Sequence, residues 1–136
     1  MSVKNTQAEY YDTAVINSVV QYFPSQTYLE KVIELLLTSV CPGGQIFIGD
    51  VRNLDLHEHF LLAVSELKAL DNGWNIDELQ RQLLLLRNAE EELLISPAYF
   101  YALAEKYKSI YHVDIEIKTE FGDTEMVRYR YDVVIH

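Results

Sequence analysis

The first half of the chain alternates between the hydrophobic pattern of a strand and that of a helix. Residues 11–20 are nearly all apolar or small, and Val15, Ile16 and Val19 among them are β-branched. A short apolar run of this kind is typical of a central parallel strand that is buried on both faces. A helical pattern follows, because apolar residues recur at steps of three and one, at Leu29, Val32, Ile33, Leu36, Leu37 and Val40.

Local signals bound this first helix and introduce a second strand. Thr27 and Glu30 have the spacing of a capping box, in which each side chain binds an otherwise unpaired amide at a helix start. Pro42-Gly43-Gly44 is expected to stop the helix, since proline cannot continue it and glycine adopts the positive φ of a tight turn. Residues 45–51 form the next strand. Two strands joined by a crossover helix lie parallel, so the sequence predicts a βαβ unit.

The pattern after Asp50 is helical and predicts an insertion at about residues 56–95. A first stripe contains Phe60, Leu61, Val64 and Leu67. Asp71-Asn72-Gly73 is expected to break this helix, because turn residues cluster there. Asn75 and Glu78 can cap a second helix, whose apolar positions are Leu79, Leu83, Leu86 and Leu93. Leu83 to Leu86 are four consecutive leucines, which predicts either a helix buried on two sides or a surface for a partner.

The last third predicts one more helix and an antiparallel pair of strands. Ser96-Pro97 is a helix start with proline at the first position, followed by an apolar stripe from Phe100 to Tyr107. Apolar and charged residues then alternate over 113–119, and a turn around Gly122-Asp123 leads to a second arm at 126–135. The sheet therefore has at least four strands, two parallel and two antiparallel.

Composition narrows the functional classes. The 136 residues suffice for one domain, and no apolar run approaches the length of about 20 residues that spans a bilayer. The N-terminus lacks the apolar core of a secretory signal, and Cys41 is the single cysteine, so we expect a soluble protein of a reducing cytoplasm. A formal charge of -10 argues against binding to nucleic acid, which needs clustered Lys and Arg.

Four segments carry a resemblance to a known family. In chain order they are NSVVQYFP (17–24), PGGQIFIGDVR (42–52), EELLISP (91–97) and RYRYDVV (128–134). Together they resemble the C-terminal half of a class I S-adenosylmethionine-dependent methyltransferase, and most closely the N-methyltransferase domains embedded in nonribosomal peptide synthetases. The resemblance implies an α/β fold with a partial Rossmann-like sheet. The segments would be its fourth and fifth strands, the helices inserted after the fifth strand, and a terminal hairpin whose last strand lies antiparallel beside the fifth.

The resemblance also shows what the sequence lacks. Methyltransferases of this class hold the cofactor with a glycine-rich turn after the first strand and an acidic residue after the second. None of the five glycines here forms a Gly-x-Gly after an early strand. We therefore expect residues 1–136 to be a single partial domain, either an expressed fragment or a truncated gene product, with weak or absent binding of S-adenosylmethionine on its own.

Polar residues at the ends of the two parallel strands are the candidate site. In open α/β sheets, ligands bind beyond the carboxyl ends of the strands. The resemblance implies that Asn17, Ser18 and Gln21 lie at the cofactor, with the Asn17 carbonyl as a contact to its ammonium group. It likewise implies the following residues on the side of the methyl acceptor: Tyr22, Asp50 and Arg52.

Methyl transfer does not require a strong nucleophile among these side chains. Methyl transfer to an amine is an in-line displacement, so the site aligns the reactants and excludes water. Asp50 could accept the amine proton, and Tyr22 could supply an electron-rich wall around the sulfonium. The alternative is structural: Asp50 and Arg52 pair with each other or cap the next helix, and Tyr22 belongs to the core. His57 and His59 resemble metal ligands, but residues two apart do not share a helix face.

Two further expectations concern partners. Without its usual neighbour, the first strand exposes a long apolar edge, so we expect a homodimer formed through that strand, unless residues 2–9 fold back over it. The substrate implied by the resemblance is a carrier-bound aminoacyl or peptidyl amine in nonribosomal peptide synthesis. Two alternatives stay open: a self-contained α/β protein-interaction module, and part of a polyketide C-methyltransferase domain.

Overall fold

A computed structural model describes residues 10–118 and 129–136. Its elements, in chain order, are β1 (Tyr11–Asn17), a short 3-10 turn (Val20–Tyr22), α1 (Gln26–Ser39), β2 (Val40–Arg52), α2 (Leu54–Asn72), α3 (Ile76–Ala89), α4 (Pro97–Lys106), β3 (Val113–Ile117) and β4 (Arg130–Ile135). The expected turn at Gly122-Asp123 and the start of the second hairpin arm lie outside the described residues.

The described strands form one sheet in the order β1-β2-β4-β3. β1 is parallel to β2, and β4 lies antiparallel to both β2 and β3. The prediction of a mixed α/β fold with two parallel strands and an antiparallel pair is therefore confirmed, as is the position of the last strand beside the second parallel one. β1 is an edge strand within the described part of the sheet.

One face of the sheet carries the core. The residues of this face continue across the strands in register, since Ile16 is opposite Ile48, Ile48 is opposite Val133, and Val133 is opposite Ile115. Helices α1 and α4 cover this face and contribute their own buried residues to the same cluster: Leu29, Val32, Ile33, Phe100 and Leu103. Burial of this continuous apolar layer is the main source of stability for the fold.

The described elements leave the other face of the sheet uncovered at β1, and this corrects one prediction. β1 was expected to be buried on both faces, but Ile16 is its one buried residue, and Val15 is 64% exposed. Val15 lies on the face opposite to Ile16, because side chains alternate along a strand. Its neighbour Phe47 in β2 is only half-buried. The apolar run thus has the composition of a strand that is buried on both faces, but the described helices cover one face of it.

The boundaries of α1 differ from those predicted. Ser25, and not Thr27, is the N-cap, and its side-chain oxygen accepts a hydrogen bond from the amide of Tyr28 at 3.1 Å. The helix ends at Ser39, and β2 begins directly at Val40, which pairs with Tyr11. Pro42-Gly43-Gly44 therefore lies within the first part of β2, where Gly43 has a φ of +83°. The strand begins earlier than predicted because its backbone already pairs with β1 before the proline.

Helices α2 and α3 form the inserted region, and their ends follow the sequence signals. Gly73 ends α2 with a φ of +66°, and the Asn75 side chain caps α3 by accepting a hydrogen bond from the Glu78 amide at 2.9 Å. α3 contains no buried residue in the described structure, and Leu84 and Leu85 are 55% and 65% exposed. A helix buried on two sides is therefore excluded. None of the described helices is long and apolar enough to cross a membrane.

Candidate functional site

The structure brings the ends of the two parallel strands together. Asn17 lies opposite Gly49 in the register of β1 and β2, and the Ser18 amide donates a hydrogen bond to the Gly49 carbonyl at 3.2 Å. The next residue along β2 is Asp50, so its carboxylate is adjacent to Ser18. The Ser18 hydroxyl donates a hydrogen bond to Oδ2 of Asp50. Two candidate residues that are 32 positions apart in sequence therefore make direct contact.

Both of these residues have an unusual backbone conformation. Ser18 and Asp50 have φ values of 58° and 59°, and they are the non-glycine residues with positive φ in the described structure. Each such conformation costs on the order of 1 kcal/mol, because the Cβ atom crowds the backbone. The two strained residues form a hydrogen bond to each other at the end of the sheet. Backbone strain that is concentrated at one contact is typical of a functional site.

Asp50 contacts several other polar groups. It is 5% exposed, and its Oδ1 receives an ion pair from Nζ of Lys118. Its backbone amide donates a hydrogen bond to Oδ1 of Asp132 at 2.9 Å, and Lys118 Nζ lies 3.8 Å from that same oxygen. Ser18, Asp50, Lys118 and Asp132 thus form one connected group, which we call the strand-end network. It contains two carboxylates and one ammonium group.

Lys118 and Asp132 are not among the site residues predicted from the sequence. Both are separated from Asp50 by more than 60 positions, and they reach it because β4 pairs antiparallel with β2 and β3 pairs antiparallel with β4. The alternation of polar and apolar residues along β3 and β4 did contain a signal for these two residues. Glu116 and Asp132 face each other in the register, on the polar side of the pair. Lys118 continues the same side two residues later.

Asn17 and Gln21 offer hydrogen-bond acceptors beside this network. The Asn17 side chain lies over Gly49, where any larger residue would collide with its amide. Gln21 is 5% exposed, and its Nε2 donates a hydrogen bond to the Ser18 carbonyl at 3.1 Å. Its Oε1 is buried and has no hydrogen-bond partner among the described residues. A buried acceptor without a donor is uncommon in folded proteins and is available to a further donor.

Tyr22 lies on the surface beside these residues. Its side chain is 71% exposed, so the alternative that Tyr22 is a core residue is excluded. The residue ends the 3-10 turn that follows β1, and its amide donates a hydrogen bond to the Val19 carbonyl at 3.0 Å. The ring is therefore accessible at the end of the sheet where the strand-end network lies.

Arg52 has a separate environment. It is 6% exposed and forms a two-pronged contact with Glu90, in which Nη1 and Nη2 lie 2.6 Å and 3.0 Å from the two carboxylate oxygens. Nη1 also lies 2.9 Å from Oε2 of Glu92. The hydrogen bond from Arg52 lowers the pKa of Glu90 below its usual value. The ion pairs of Arg52 therefore connect the segment after α3 to the end of β2.

Neither structural alternative for Asp50 and Arg52 holds. Asp50 pairs with Ser18 and Lys118, whereas Arg52 pairs with Glu90 and Glu92. The cap of α2 is Asn53, whose side chain accepts a hydrogen bond from the Asp55 amide at 3.0 Å. His57 and His59 belong to no group that could hold a metal ion within residues 10–118 and 129–136.

A cavity lies at the other end of β2. It has a volume of about 310 Å³ and is lined in part by Val40, Gly43, Gly44 and His136. Beside it, Asp114 accepts contacts from Nε2 of His112 at 2.8 Å and Nε2 of His136 at 3.0 Å, and these contacts lower the pKa of Asp114. This cavity is separate from the strand-end network.

The chain is similar to short segments of very large enzymes. No family model matches it. It is 42% identical over 92% of its length to chondramide synthase of Chondromyces crocatus, of which it covers 3%. It is 36% identical, also over 92%, to 4% of the bassianolide nonribosomal cyclodepsipeptide synthetase of Beauveria bassiana. It is 41% identical over 90% of its length to 2% of a nonribosomal peptide synthetase of Metarhizium robertsii. The chain is therefore related to a segment of nonribosomal peptide synthetases and spans only a few per cent of their length.

Proposed function

We propose that this chain is the acceptor side of an S-adenosylmethionine-dependent N-methyltransferase in a nonribosomal peptide synthetase. Its substrate would be an aminoacyl or peptidyl amine held on a carrier. Three findings support the proposal: the relatives named above, the order and directions of the four strands, and the polar groups that meet where the parallel strands end. The single observation that carries it is the strained contact between Ser18 and Asp50 at that position.

The site has the groups that amine methylation requires. An amine must lose a proton during methylation, and Asp50 is a buried carboxylate whose orientation is fixed by the Ser18 hydroxyl. The exposed ring of Tyr22 can lie against a positively charged sulfonium, because the face of an aromatic ring attracts cations. We assign Arg52 an indirect role on the acceptor side, since its contacts hold the segment of Glu90 and Glu92 beside the site.

The described residues fit one end of the cofactor. When bound, S-adenosylmethionine supplies an electrophilic methyl group. Its ammonium group needs acceptors, and the unpartnered Oε1 of Gln21 and the carbonyl of Asn17 would hold it, with Ser18 between them. We identify no residues for the ribose and adenine among those that the structure describes, and we expect the isolated chain to bind the cofactor weakly. Tight binding measured by titration calorimetry would contradict this account of the site.

The decisive experiment uses a chimaera. This chain replaces the matching segment of chondramide synthase, and transfer of a labelled methyl group from S-adenosylmethionine to the loaded aminoacyl group is measured. We expect transfer by the chimaera and a loss of about a hundredfold in rate with Asp50→Asn, because a general base contributes roughly that much. Asp71→Asn, on the exposed end of α2, is the matched control. A chimaera that loads its amino acid but transfers no methyl group would contradict the proposal.

The exposed helical face supports a second candidate, a protein-interaction module. α3 contributes no buried residue, and Ile76, Leu84 and Leu85 are more than half exposed. An apolar helix surface of this kind is typical of a docking site. The two functions are separable, because substitutions on α3 would weaken docking without affecting methyl transfer at the strand-end network.

A further inference from the structure

We propose that Lys118 is an internal occupant of the amine site, and that the acceptor amine must displace it from Asp50 in order to bind. The inference rests on the proposed function, since it concerns the same carboxylate. It adds a residue that controls access to the site. In the absence of the acceptor amine, the buried carboxylate of Asp50 is paired with the ammonium group of Lys118.

The geometry of Lys118 is that of a bound ammonium ligand. Nζ contacts Oδ1 of Asp50 and lies 3.8 Å from Oδ1 of Asp132, so it sits between two carboxylates. The side chains of Asp50 and Asp132 are 7% and 22% exposed. A lysine ammonium and the ammonium of an amino acid have the same charge and the same three donors. A site that accepts one is therefore chemically suited to the other.

The carboxylates hold their places without help from Lys118. Asp132 accepts a hydrogen bond from the Asp50 backbone amide, and the second oxygen of Asp50 accepts one from the Ser18 hydroxyl. These bonds orient both acids toward the position of Nζ. Exchange of one ammonium for another keeps the charges paired, whereas an empty position would leave two carboxylates side by side, which is unfavourable. The lysine side chain is 24% exposed and flexible, so it can move into solvent.

This arrangement predicts competition between Lys118 and a free amine. An internal ligand competes at a high effective concentration, so the apparent affinity for an external amine is reduced by the fraction of molecules in which the site is free. Removal of the lysine ammonium should therefore raise the affinity, even though it removes an ion pair. A lysine with a purely structural role would show the opposite behaviour, because its loss would disorder Asp50.

The test is a binding titration of the 136-residue chain with methylammonium chloride, followed through the backbone amide NMR signals of Asp50 and Asp132. We expect Lys118→Met to bind methylammonium about tenfold more tightly than the native chain, as it would if the site were free in about one molecule in ten. Lys118→Arg keeps the charge and should bind no more tightly than the native chain. Lys118→Met combined with Asp50→Asn should not bind, and tetramethylammonium chloride, which has no N–H donor, should bind neither form.

Equal affinities of the native chain and Lys118→Met would overturn the proposal, as would an absence of methylammonium binding to Lys118→Met. If this variant does not fold, the native chain labelled at its lysine Nζ atoms decides the question. Methylammonium should shift the Lys118 signal toward that of an exposed lysine, and an unchanged signal would contradict displacement. Amine binding that depends on Lys118 without methyl transfer in the chimaera would leave this inference standing while the proposed function fails. Methyl transfer by the chimaera, together with amine binding that does not depend on Lys118, would support the proposed function and contradict this inference.

Discussion

The hydroxyl of Tyr131 donates a hydrogen bond to the carbonyl oxygen of Ile95 at 2.8 Å, and both residues are fully buried. Ile95 in turn donates its amide to the carbonyl of Arg52 at 3.0 Å. β4, the segment before α4 and the end of β2 are therefore joined through two hydrogen bonds. Burial raises the pKa of Tyr131 well above its usual range, so the hydroxyl keeps its proton and remains a donor.

Loss of this hydroxyl should lower the stability of the fold. We expect Tyr131→Phe to reduce the free energy of unfolding by about 1 kcal/mol, because a buried hydrogen bond is lost while the ring still fills its place. Tyr111→Phe is the matched control, since Tyr111 is 93% exposed and its hydroxyl can bond to water. Urea unfolding measures both. Equal stability of the two variants would contradict the structural role of Tyr131.

The strain at Ser18 predicts a difference between two small substitutions. Ser18→Ala and Ser18→Gly both remove the hydroxyl that holds Asp50, but only glycine relieves the positive φ of 58°. We therefore expect the glycine variant to be more stable than the alanine variant by about 1 kcal/mol, the usual cost of a left-handed conformation for a residue with a Cβ atom. Unfolding in urea measures the difference, and a more stable alanine variant would show that Ser18 is unstrained.

The ion pair of Arg52 and Glu90 predicts a dependence of stability on pH. Arg52 lowers the pKa of Glu90 below the ordinary value of 4.5, so the folded state favours the ionised form. The stabilisation is fully present above the ordinary pKa and is lost as the pH falls through the lower pKa of the folded state. We expect Glu90→Gln to reduce the loss of stability below pH of about 4.5 relative to the native chain.

Glu91→Gln is the control for this pH dependence. It removes the same charge from the neighbouring residue, whose side chain is exposed. Thermal unfolding at a series of pH values compares the three proteins. If Glu91→Gln reduces the loss of stability at low pH as much as Glu90→Gln does, the ion pair of Glu90 with Arg52 is not the cause of that loss.

The fold was largely predictable from local patterns, because strand–helix–strand order, the break at Gly73 and the cap at Asn75 depend on neighbouring residues. The cap of α1 was not, since Ser25 and Thr27 both belong to residue types that cap helices and the local pattern does not decide between them. The exposure of Val15 also escaped prediction, because an apolar run reveals composition and not which neighbours cover it.

The candidate site was predictable only in part. The meeting of Ser18 and Asp50 follows from two parallel strands that end together. Their positive φ values do not follow, because neither residue is a glycine. Lys118 and Asp132 depend on the register of β3 and β4, which a single sequence does not define. The residues missing from the prediction are therefore those supplied by long-range pairing.

Exposure of the leucines on α3 predicts that they contribute little to the fold of this chain. Leu85 is 65% exposed, so Leu85→Gln should change the free energy of unfolding by no more than about 0.5 kcal/mol. Leu103 of α4 is 3% exposed in the core, and Leu103→Ala should cost about 2 to 5 kcal/mol through the cavity that it leaves. Unfolding in urea compares the two. A large cost at Leu85 would show that α3 is packed in solution, and would point to a partner or second copy on that face.

The edge position of β1 predicts self-association of the isolated chain. Its outer edge has no neighbouring strand among the described elements, and Val15 and Tyr11 on it are 64% and 44% exposed. Unpaired backbone groups beside apolar side chains favour pairing with a second copy. We expect light scattering after size-exclusion chromatography to give twice the mass of the chain.

Val15→Lys should shift this dimer toward monomer, because a charged side chain on an edge strand opposes edge-to-edge pairing. Leu62→Lys adds the same charge on α2, where Leu62 is 39% exposed, and should leave the dimer intact. This pair of variants separates the strand edge from the helical surface as the contact. A native chain that stays monomeric at every concentration tested would contradict the dimer. A dimer that is sensitive only to Leu62→Lys would place the contact on the inserted helices instead, because only there would the added charge be buried.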